Sequence, residues 1–383
     1  TASRTSLAAV TGLSKAAVGS MVSELIEHKF VREVGLTSGN NGRPSIRVEI
    51  NPEAGCVVSG ELGVDFMSVV CTDFAADIIW RQRQPITPDM NQQTIIDRLR
   101  RLLQEAAEVG RNCCGPLLGV AVGASALVDR RTGMVLVATN MGWNRVPLRA
   151  MLQESFDVPV YVDNEFNVAL LGEYYFGRAR ACSDVLYVGA DIGMGGSILH
   201  GGQLFGGEAA LTGRLGHMTI DPNGKLCNCG NRGCWETLVD RRAIFQSIML
   251  QANRGSSTVL TDMTGGDLTR LQMSMVVEAA DSGDAVALTT LEQVGHYLGV
   301  GLASLVNVLN PEMIVLGNIF SSAGEFLLPL IQAELHTHVL CWDENTVDVV
   351  LSEFGSDACV IGGVAAVYEA ILPRPDRVIR QPA

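Results

Sequence analysis

The stretch GRLGHMTIDPNGKLCNCGNRGCWET, residues 213–237, has three cysteines within eight positions. It contains four residues that commonly bind metals: His217, Cys227, Cys229 and Cys234. The thiolates can face one centre because Gly230 and Gly233 allow the backbone to turn sharply. Three sulfurs need a fourth ligand to complete a tetrahedron, and the histidine is the nearest imidazole. The spacing therefore predicts a metal site, and buried free cysteines are the alternative.

The sequence on both sides of this stretch shows two similar halves. VVSGELGVDFMSVVCTD (57–73) predicts two strands joined by a glycine turn, and DVLYVGADIGMGGSILHGG (184–202) repeats the pattern. Buried strands follow later in each half, as LLGVAVGASALV (117–128) and PEMIVLGN (311–318). Such a repeat predicts an α/β protein with two lobes and a cleft between them.

The first 50 residues follow another pattern. SRTSLAAVTGLSKAAVGSMVSELIEHKF (3–30) predicts two helices joined by a turn, and Ser14 is a good N-cap for the second helix. An apolar stripe on the second helix, which we expect to be buried, is formed by Val18, Val22, Leu25 and Ile26. VREVG and SIRVEI then alternate as two strands, and the glycine-rich loop between them carries Arg43. A helix-turn-helix followed by a β-hairpin is a winged helix, which is typical of DNA-binding proteins.

The charge distribution agrees with a DNA-reading module on a larger acidic body. The net charge is −13, which argues against nucleic-acid binding by the whole protein, yet residues 1–50 hold six basic and four acidic side chains. The second helix has few side chains that could read bases, and a winged helix that is vestigial or contacts protein is the alternative. The expected DNA contacts are Ser14, Lys15, Ser20 and Arg43.

Composition narrows the class of protein further. The chain has 383 residues, of which 47% are apolar, enough for two or three domains with a large core. No apolar run is long enough to span a membrane, and no signal peptide is visible. Ten cysteines do not make a chain of this length cysteine-dense, which favours a reducing compartment. The sequence therefore predicts a cytoplasmic protein without membrane insertion.

The stretch 213–237 resembles the zinc signature of the ROK family (repressors, open reading frames and sugar kinases), and a winged helix ahead of such a body resembles its transcriptional-repressor branch. The resemblance implies a two-lobed, actin-like and ribonuclease-H-like sugar-kinase fold behind the winged helix-turn-helix. It also implies a structural zinc on the histidine and the three cysteines. The implied domains are a winged helix (1–53), a first lobe (54–170 plus about 358–376) and a second lobe with the zinc site (171–357).

The resemblance also implies a sugar pocket. Asn164 in VDNEFNVALLGE matches the family pattern, but Glu165 stands at the position of the catalytic Asp and is one methylene longer. Arg214 replaces a Glu and would suit an acidic or phosphorylated sugar, whereas His217 and Glu236 match. We therefore expect these five residues to bind a carbohydrate or sugar phosphate. The alternative is a set of ordinary polar residues with a Glu165–Arg214 ion pair.

The phosphate-binding turns of the family are altered. The turn that usually reads Asp-x-Gly-Gly-Thr is ELGVD (61–65), so that Asp65 replaces Thr. The second turn is DIGMGG (191–196), in which Asp191 replaces Gly. A carboxylate beside a phosphate repels it. We therefore predict no catalytic residue and no ATP-dependent phosphoryl transfer.

Together these patterns predict a sugar-responsive transcriptional regulator, a repressor of carbohydrate-use genes. It would bind double-stranded operator DNA as a homodimer or homotetramer, because paired winged helices suit paired half-sites. One alternative is an active ATP-dependent carbohydrate kinase with a fused N-terminal module. Another is a protein-interaction scaffold.

Overall fold

The N-terminal module consists of two helices and three short strands. The structure, a computed structural model, describes residues 1–37, 45–206, 213–340, 342 and 347–372. The elements of the module are β1 (Ala2–Ser3), α1 (Arg4–Thr11), α2 (Lys15–Glu27), β2 (Val31–Thr37) and β3 (Ser45–Ile50). The strands pair antiparallel in the order β1-β3-β2. Val18 and Val22 of α2 are buried against Ala8 and Val48, so the predicted apolar stripe does face inward.

The first half of the body is built on a five-stranded sheet. Its elements are β4 (Cys56–Leu62), β5 (Phe66–Asp73), β6 (Ile78–Pro85), α3 (Gln92–Cys114), β7 (Leu117–Ala124), a small sheet of β8 (Leu127–Asp129), β9 (Met134–Ala138) and β10 (Trp143–Val146), α4 (Leu148–Gln153) and β11 (Val160–Asn164). The strand order is β11-β7-β4-β5-β6. β4 to β6 are antiparallel neighbours, whereas β7 and β11 run parallel to β4.

The second half repeats this topology. Its elements are α5 (Glu165–Tyr175), β12 (Val185–Asp191), β13 (Gly193–His200), β14 (Gln203–Leu204), α6 (Glu236–Val239), α7 (Arg241–Asn253), α8 (Val259–Met263), α9 (Met273–Asp281), α10 (Ala285–Leu309), β15 (Met313–Asn318), α11 (Ile319–Ser322), α12 (Gly324–His338), β16 (Asp348–Leu351) and α13 (Ala358–Ile371). The strand order β14-β13-β12-β15-β16 again places three antiparallel strands beside two parallel ones. The predicted two-halved α/β fold is confirmed.

Two helices, α5 and α13, lie between the sheets. Residues of α13 pack with Val57 and Leu118 of the first sheet, and residues of α5 pack with Tyr187 of the second. The helices touch through glycine, because a Cβ on Gly172 would lie 3.0 Å from the backbone of Gly362. The body is therefore two sheets joined by a tightly packed pair of helices.

Within the described ranges, no helix is long and apolar enough to cross a membrane.

Candidate metal centre and adjoining pocket

The four predicted metal ligands form one cluster. The ligand atoms of His217, Cys227, Cys229 and Cys234 all lie within 4.8 Å of one another. The Sγ atoms of Cys229 and Cys234 are 3.6 Å apart, and Cys227 Sγ is 3.7 Å from His217 Nδ1. Ligands at about 2.3 Å from a tetrahedral ion would be about 3.8 Å apart. The spacing of these atoms therefore fits a single tetrahedral metal ion.

Local backbone contacts hold the cysteine loop in this shape. Gly233 has a φ of +64°, and a Cβ there would lie 1.5 Å from the carbonyl oxygen of Asp221, so only glycine fits. The amide of Cys227 donates to the carbonyl of Asn231 at 2.8 Å. Trp235, which directly follows Cys234, is fully buried, and its indole Nε1 donates to the carbonyl of Tyr297 at 2.9 Å. The loop is thus anchored to α10.

A cleft of about 590 Å³ adjoins the metal cluster, and all five predicted sugar-binding residues line it: Asn164, Glu165, Arg214, His217 and Glu236. This volume suits a small organic ligand. Glu236 is only 6% exposed, and its Oε1 accepts a hydrogen bond from Cys227 Sγ at 2.9 Å. The same oxygen lies 3.7 Å from His217 Nδ1. The metal cluster therefore forms one wall of the cleft.

Another wall is the N-terminus of α5. Asn164 is its N-cap: Oδ1 accepts from the amides of Phe166 at 2.9 Å and Asn167 at 3.4 Å, and Nδ2 donates to the carbonyl of Ala126 at 3.0 Å. Glu165 differs, because its Oε2 is buried without a hydrogen-bond partner among the described residues. Burial raises the pKa of its carboxyl to about 8. A buried carboxyl oxygen without a partner beside a cleft is suited to a ligand hydroxyl.

Arg214 lies at the mouth of the cleft. Its side chain is exposed and makes no ion pair with any residue in the described part of the chain. The alternative Glu165–Arg214 ion pair is therefore not formed. The guanidinium is available to solvent or to an acidic group of a ligand.

Sequence reasoning missed further polar residues of the cleft. Asp163 is 8% exposed and accepts from Asn167 Nδ2 at 2.9 Å, and Arg130 Nε lies 3.2 Å from its other oxygen. Asp163 and Asn167 lie beside Asn164 in VDNEFN, where a strand ends and a helix begins. Polar residues at such a junction could have been predicted as part of the cleft. Asn140 also lines the cleft and accepts from Arg242 Nη2 at 3.1 Å. No local pattern marks Asn140.

The two acidic residues of the altered phosphate turns share one arginine. Asp65 lies in the turn between β4 and β5 of the first sheet, whereas Asp191 ends β12 of the second. Arg241 Nη2 pairs with Asp65, and its Nε lies 3.0 Å from Asp191 Oδ1. The guanidinium therefore bridges the two halves of the body.

A small cavity of about 20 Å³ lies beside Asp191 and is lined by Glu61, Glu165 and Asn318, among others. Glu61 is 4% exposed. Burial, together with the nearby Glu165, raises the pKa of Glu61 to about 8. The cavity is therefore lined by carboxyl groups and, among the described residues, offers no cation to a phosphate, whereas phosphoryl-transfer sites surround the phosphates with cations and hydrogen-bond donors.

The predicted DNA contacts lie on α2 and in the following hairpin. Ser14 is the N-cap of α2, and its Oγ accepts from the amide of Ala17 at 3.2 Å. Lys15 and Ser20 are exposed on this helix. Arg43 lies outside the described residues. Contact of these four residues with DNA stays a prediction.

Comparison with known proteins gives a consistent result over the whole chain. The ROK family model matches residues 57–370. The xylose repressor of Caldicellulosiruptor bescii is 29% identical over 374 residues, which cover 98% of this chain and 93% of the repressor. The similarity to a protein named as a repressor thus includes the N-terminal module.

Two solved structures resemble the fold. A ROK family transcriptional regulator, described as a homolog of the E. coli MLC protein, has a TM-score of 0.82 at 24% identity and covers 99% of this chain and 95% of its own. A ROK family glucokinase from Streptomyces griseus, solved with glucose and AMPPNP, has a TM-score of 0.74 at 26% identity. Its comparison covers 82% of this chain and 100% of the kinase.

Proposed function

This chain belongs to the ROK family, and we propose that it is a sugar-responsive transcriptional regulator, a repressor of carbohydrate-use genes. The main support is the share of this chain that each relative matches. The xylose repressor matches 98% of the chain, whereas a complete glucokinase matches 82% of it. The family model begins at residue 57, after the two helices and the hairpin of the N-terminal module. The part that distinguishes the chain from a kinase therefore has the arrangement of a DNA-reading module.

The altered phosphate turns support a protein that is not a kinase. Phosphoryl transfer needs positive or hydrogen-bond-donating groups around the phosphates. Here Asp65 and Asp191 occupy the two turns, and Arg241 already forms ion pairs with both carboxylates. A nucleotide would have to displace this ion pair, and Glu61 and Glu165 beside it supply no positive charge for the phosphates.

We assign zinc to the metal cluster as a structural ion. Three thiolates and one imidazole are a usual zinc ligand set, and four protein ligands leave no open position for a substrate. His217 and Glu236 lie where the cluster meets the cleft. Zinc would hold both side chains in place for a sugar.

We propose D-xylose as the first effector to test. A repressor that matches nearly the whole chain is named for xylose, and a pentose is smaller than glucose by one hydroxymethyl group. Glu165, longer than the usual Asp, leaves less room in the cleft, which favours the smaller sugar. The unpaired Arg214 makes a sugar phosphate the alternative ligand.

Regulation would follow from differential binding. The effector changes the population of lobe arrangements only if it binds one of them more tightly. In a homodimer or homotetramer, this change would alter the spacing of two N-terminal modules on a paired operator in the cytoplasm. Within this proposal we keep the domain limits 1–53, 54–170 plus 358–376, and 171–357, with Ser14, Lys15, Ser20 and Arg43 facing DNA.

The test is a selection of fragments of the source organism's genome on the purified protein, with and without D-xylose. We expect a shared paired motif beside carbohydrate genes and release of those fragments by D-xylose. In parallel, ADP release is measured with ATP and D-xylose or D-glucose, and none is expected. No fragment enrichment at low salt would overturn the proposed regulator, and sugar-dependent ADP release would favour the kinase.

A further inference from the structure

We propose that helices α5 and α13 transmit the state of the sugar pocket to the DNA-reading helix α2, and that Tyr368 and Phe74 are the positioning residues of this route. The inference rests on the proposed function, since it concerns how the same pocket regulates the N-terminal module. It is argued from a continuous series of contacts between the cleft and α2.

The route begins at the N-terminus of α5. Asn164 caps this helix, and Glu165 is its first residue, so the carboxyl whose Oε2 has no partner among the described residues is fixed to one end of the helix. The helix is 11 residues long and is followed by Phe176. A ligand that draws Glu165 toward itself therefore acts on the whole helix.

The helices α5 and α13 meet backbone to backbone at Gly172 and Gly362. A Cβ on Gly172 would lie 3.0 Å from the backbone of Gly362, and a Cβ on Gly362 would lie 1.7 Å from the carbonyl oxygen of Val168. Because close-packed backbones transmit displacement, α13 must follow α5.

Tyr368 connects α13 to the first sheet at a point close to the N-terminal module. It is 7% exposed, and its hydroxyl donates to the carbonyl of Phe74 at 2.8 Å. The rings of Tyr368 and Phe74 are 5.2 Å apart, and the ring of Phe176, at the end of α5, is 6.1 Å from Tyr368. Both helices thus reach the same tyrosine.

Phe74 in turn contacts the end of α2. Its ring centroid is 5.1 Å from that of Phe30, which is 5% exposed. The amide of Phe30 donates to the carbonyl of Leu25 at 2.9 Å, and its carbonyl accepts from the amide of Asn51 at 2.9 Å. Phe30 is therefore part of the structure that ends α2. A shift of Phe74 would therefore move Phe30 and, with it, the C-terminal end of α2.

The test compares Tyr368→Phe with Tyr161→Phe. The first variant keeps the ring but loses the bond to the Phe74 carbonyl. The second is a matched control, because Tyr161 packs in the same apolar cluster and its hydroxyl has no hydrogen-bond partner in the described ranges. For each protein we would measure the affinity for D-xylose, and the affinity for a selected genomic fragment without sugar and with saturating D-xylose.

We expect Tyr368→Phe to reduce the ratio of the two DNA affinities at least about fivefold, while the affinities for D-xylose and for sugar-free DNA stay within about twofold. Tyr161→Phe should behave as the wild type. Hydrogen exchange of residues 15–27 should respond to D-xylose in the wild type and less in Tyr368→Phe. If Tyr368→Phe fails to fold, Phe30→Leu replaces it, with the same expectation.

The outcomes separate the two proposals. A wild-type protein whose DNA affinity is unchanged by D-xylose overturns the proposed effector and the route with it. A wild type that responds, with an equal response in Tyr368→Phe, overturns the route alone. A lower melting temperature with an unchanged affinity ratio also overturns it, because the tyrosine would then be purely structural.

Discussion

Glu236 Oε1 lies 2.9 Å from Cys227 Sγ and 3.7 Å from His217 Nδ1. One buried carboxylate thus contacts two members of the metal cluster and the sugar cleft at once. Loss of the metal should therefore change the cleft as well as the stability of the loop.

Metal removal is tested with Cys234→Ser. Cys234 is fully buried in the cluster, so we expect the bound zinc to fall from one ion per chain toward none, the melting temperature to drop, and D-xylose affinity to be lost. Elemental analysis and calorimetry check this. The exposed Cys113, changed to Ser, is the control. Full zinc content in Cys234→Ser would show that the thiolate is not a ligand.

The stability of the protein should depend on pH through Glu165. Its pKa is about 8 in the folded protein, against a usual value of 4.5. Between these values the folded state holds a proton that the unfolded chain has released, so the free energy of unfolding falls as the pH rises through this window.

Glu165→Gln should remove its part of this pH dependence and stabilise the protein at pH 8 by on the order of 2 kcal/mol. Urea unfolding at pH 5, 7 and 8.5 measures the effect. The exposed Glu105, changed to Gln, should leave the slope unchanged. Parallel slopes for wild type and Glu165→Gln would contradict the assignment, since Glu61 would then carry the whole effect.

The ion pairs of Arg241 with Asp65 and Asp191 predict that these two carboxylates weaken the binding of a nucleotide. Asp65→Thr combined with Asp191→Gly frees the guanidinium of Arg241, which should raise ATP affinity about tenfold over wild type. Binding of a fluorescent ATP analogue measures this. Adding Arg241→Gln to the double variant should remove the gain. Equal ATP affinity in wild type and double variant would mean that other substitutions exclude the nucleotide.

If α2 binds DNA, the variant Lys15→Ala should have a lower affinity for DNA. Lys15 is exposed at the first position of the helix, so we expect weaker binding to all fragments and a salt slope lower by about one. Titrations across a range of salt concentrations measure the slope. Lys225→Ala, on the body, is the charge-matched control. An identical slope in both variants would remove Lys15 from the interface.

The sequence alone predicted those features that depend on residues close together in the chain. The hairpins around Gly63 and Gly193, the apolar stripe of α2 and the metal ligands between His217 and Cys234 all depend on periodicity or short spacing. Periodicity reports which side chains are buried, and glycine reports where the chain must turn. These signals do not require knowledge of how the sheets pack.

The tertiary structure decided the contacts between distant segments. The pairing of Arg241 with Asp65, the placement of Asn140 in the cleft, and the contact of Tyr368 with Phe74 each join separate parts of the fold. No local pattern predicts such partners, because a polar or aromatic side chain has the same sequence signature whichever neighbour it meets. Only the packing of the two sheets around α5 and α13 brings the metal cluster, the cleft and the end of α2 into one connected structure.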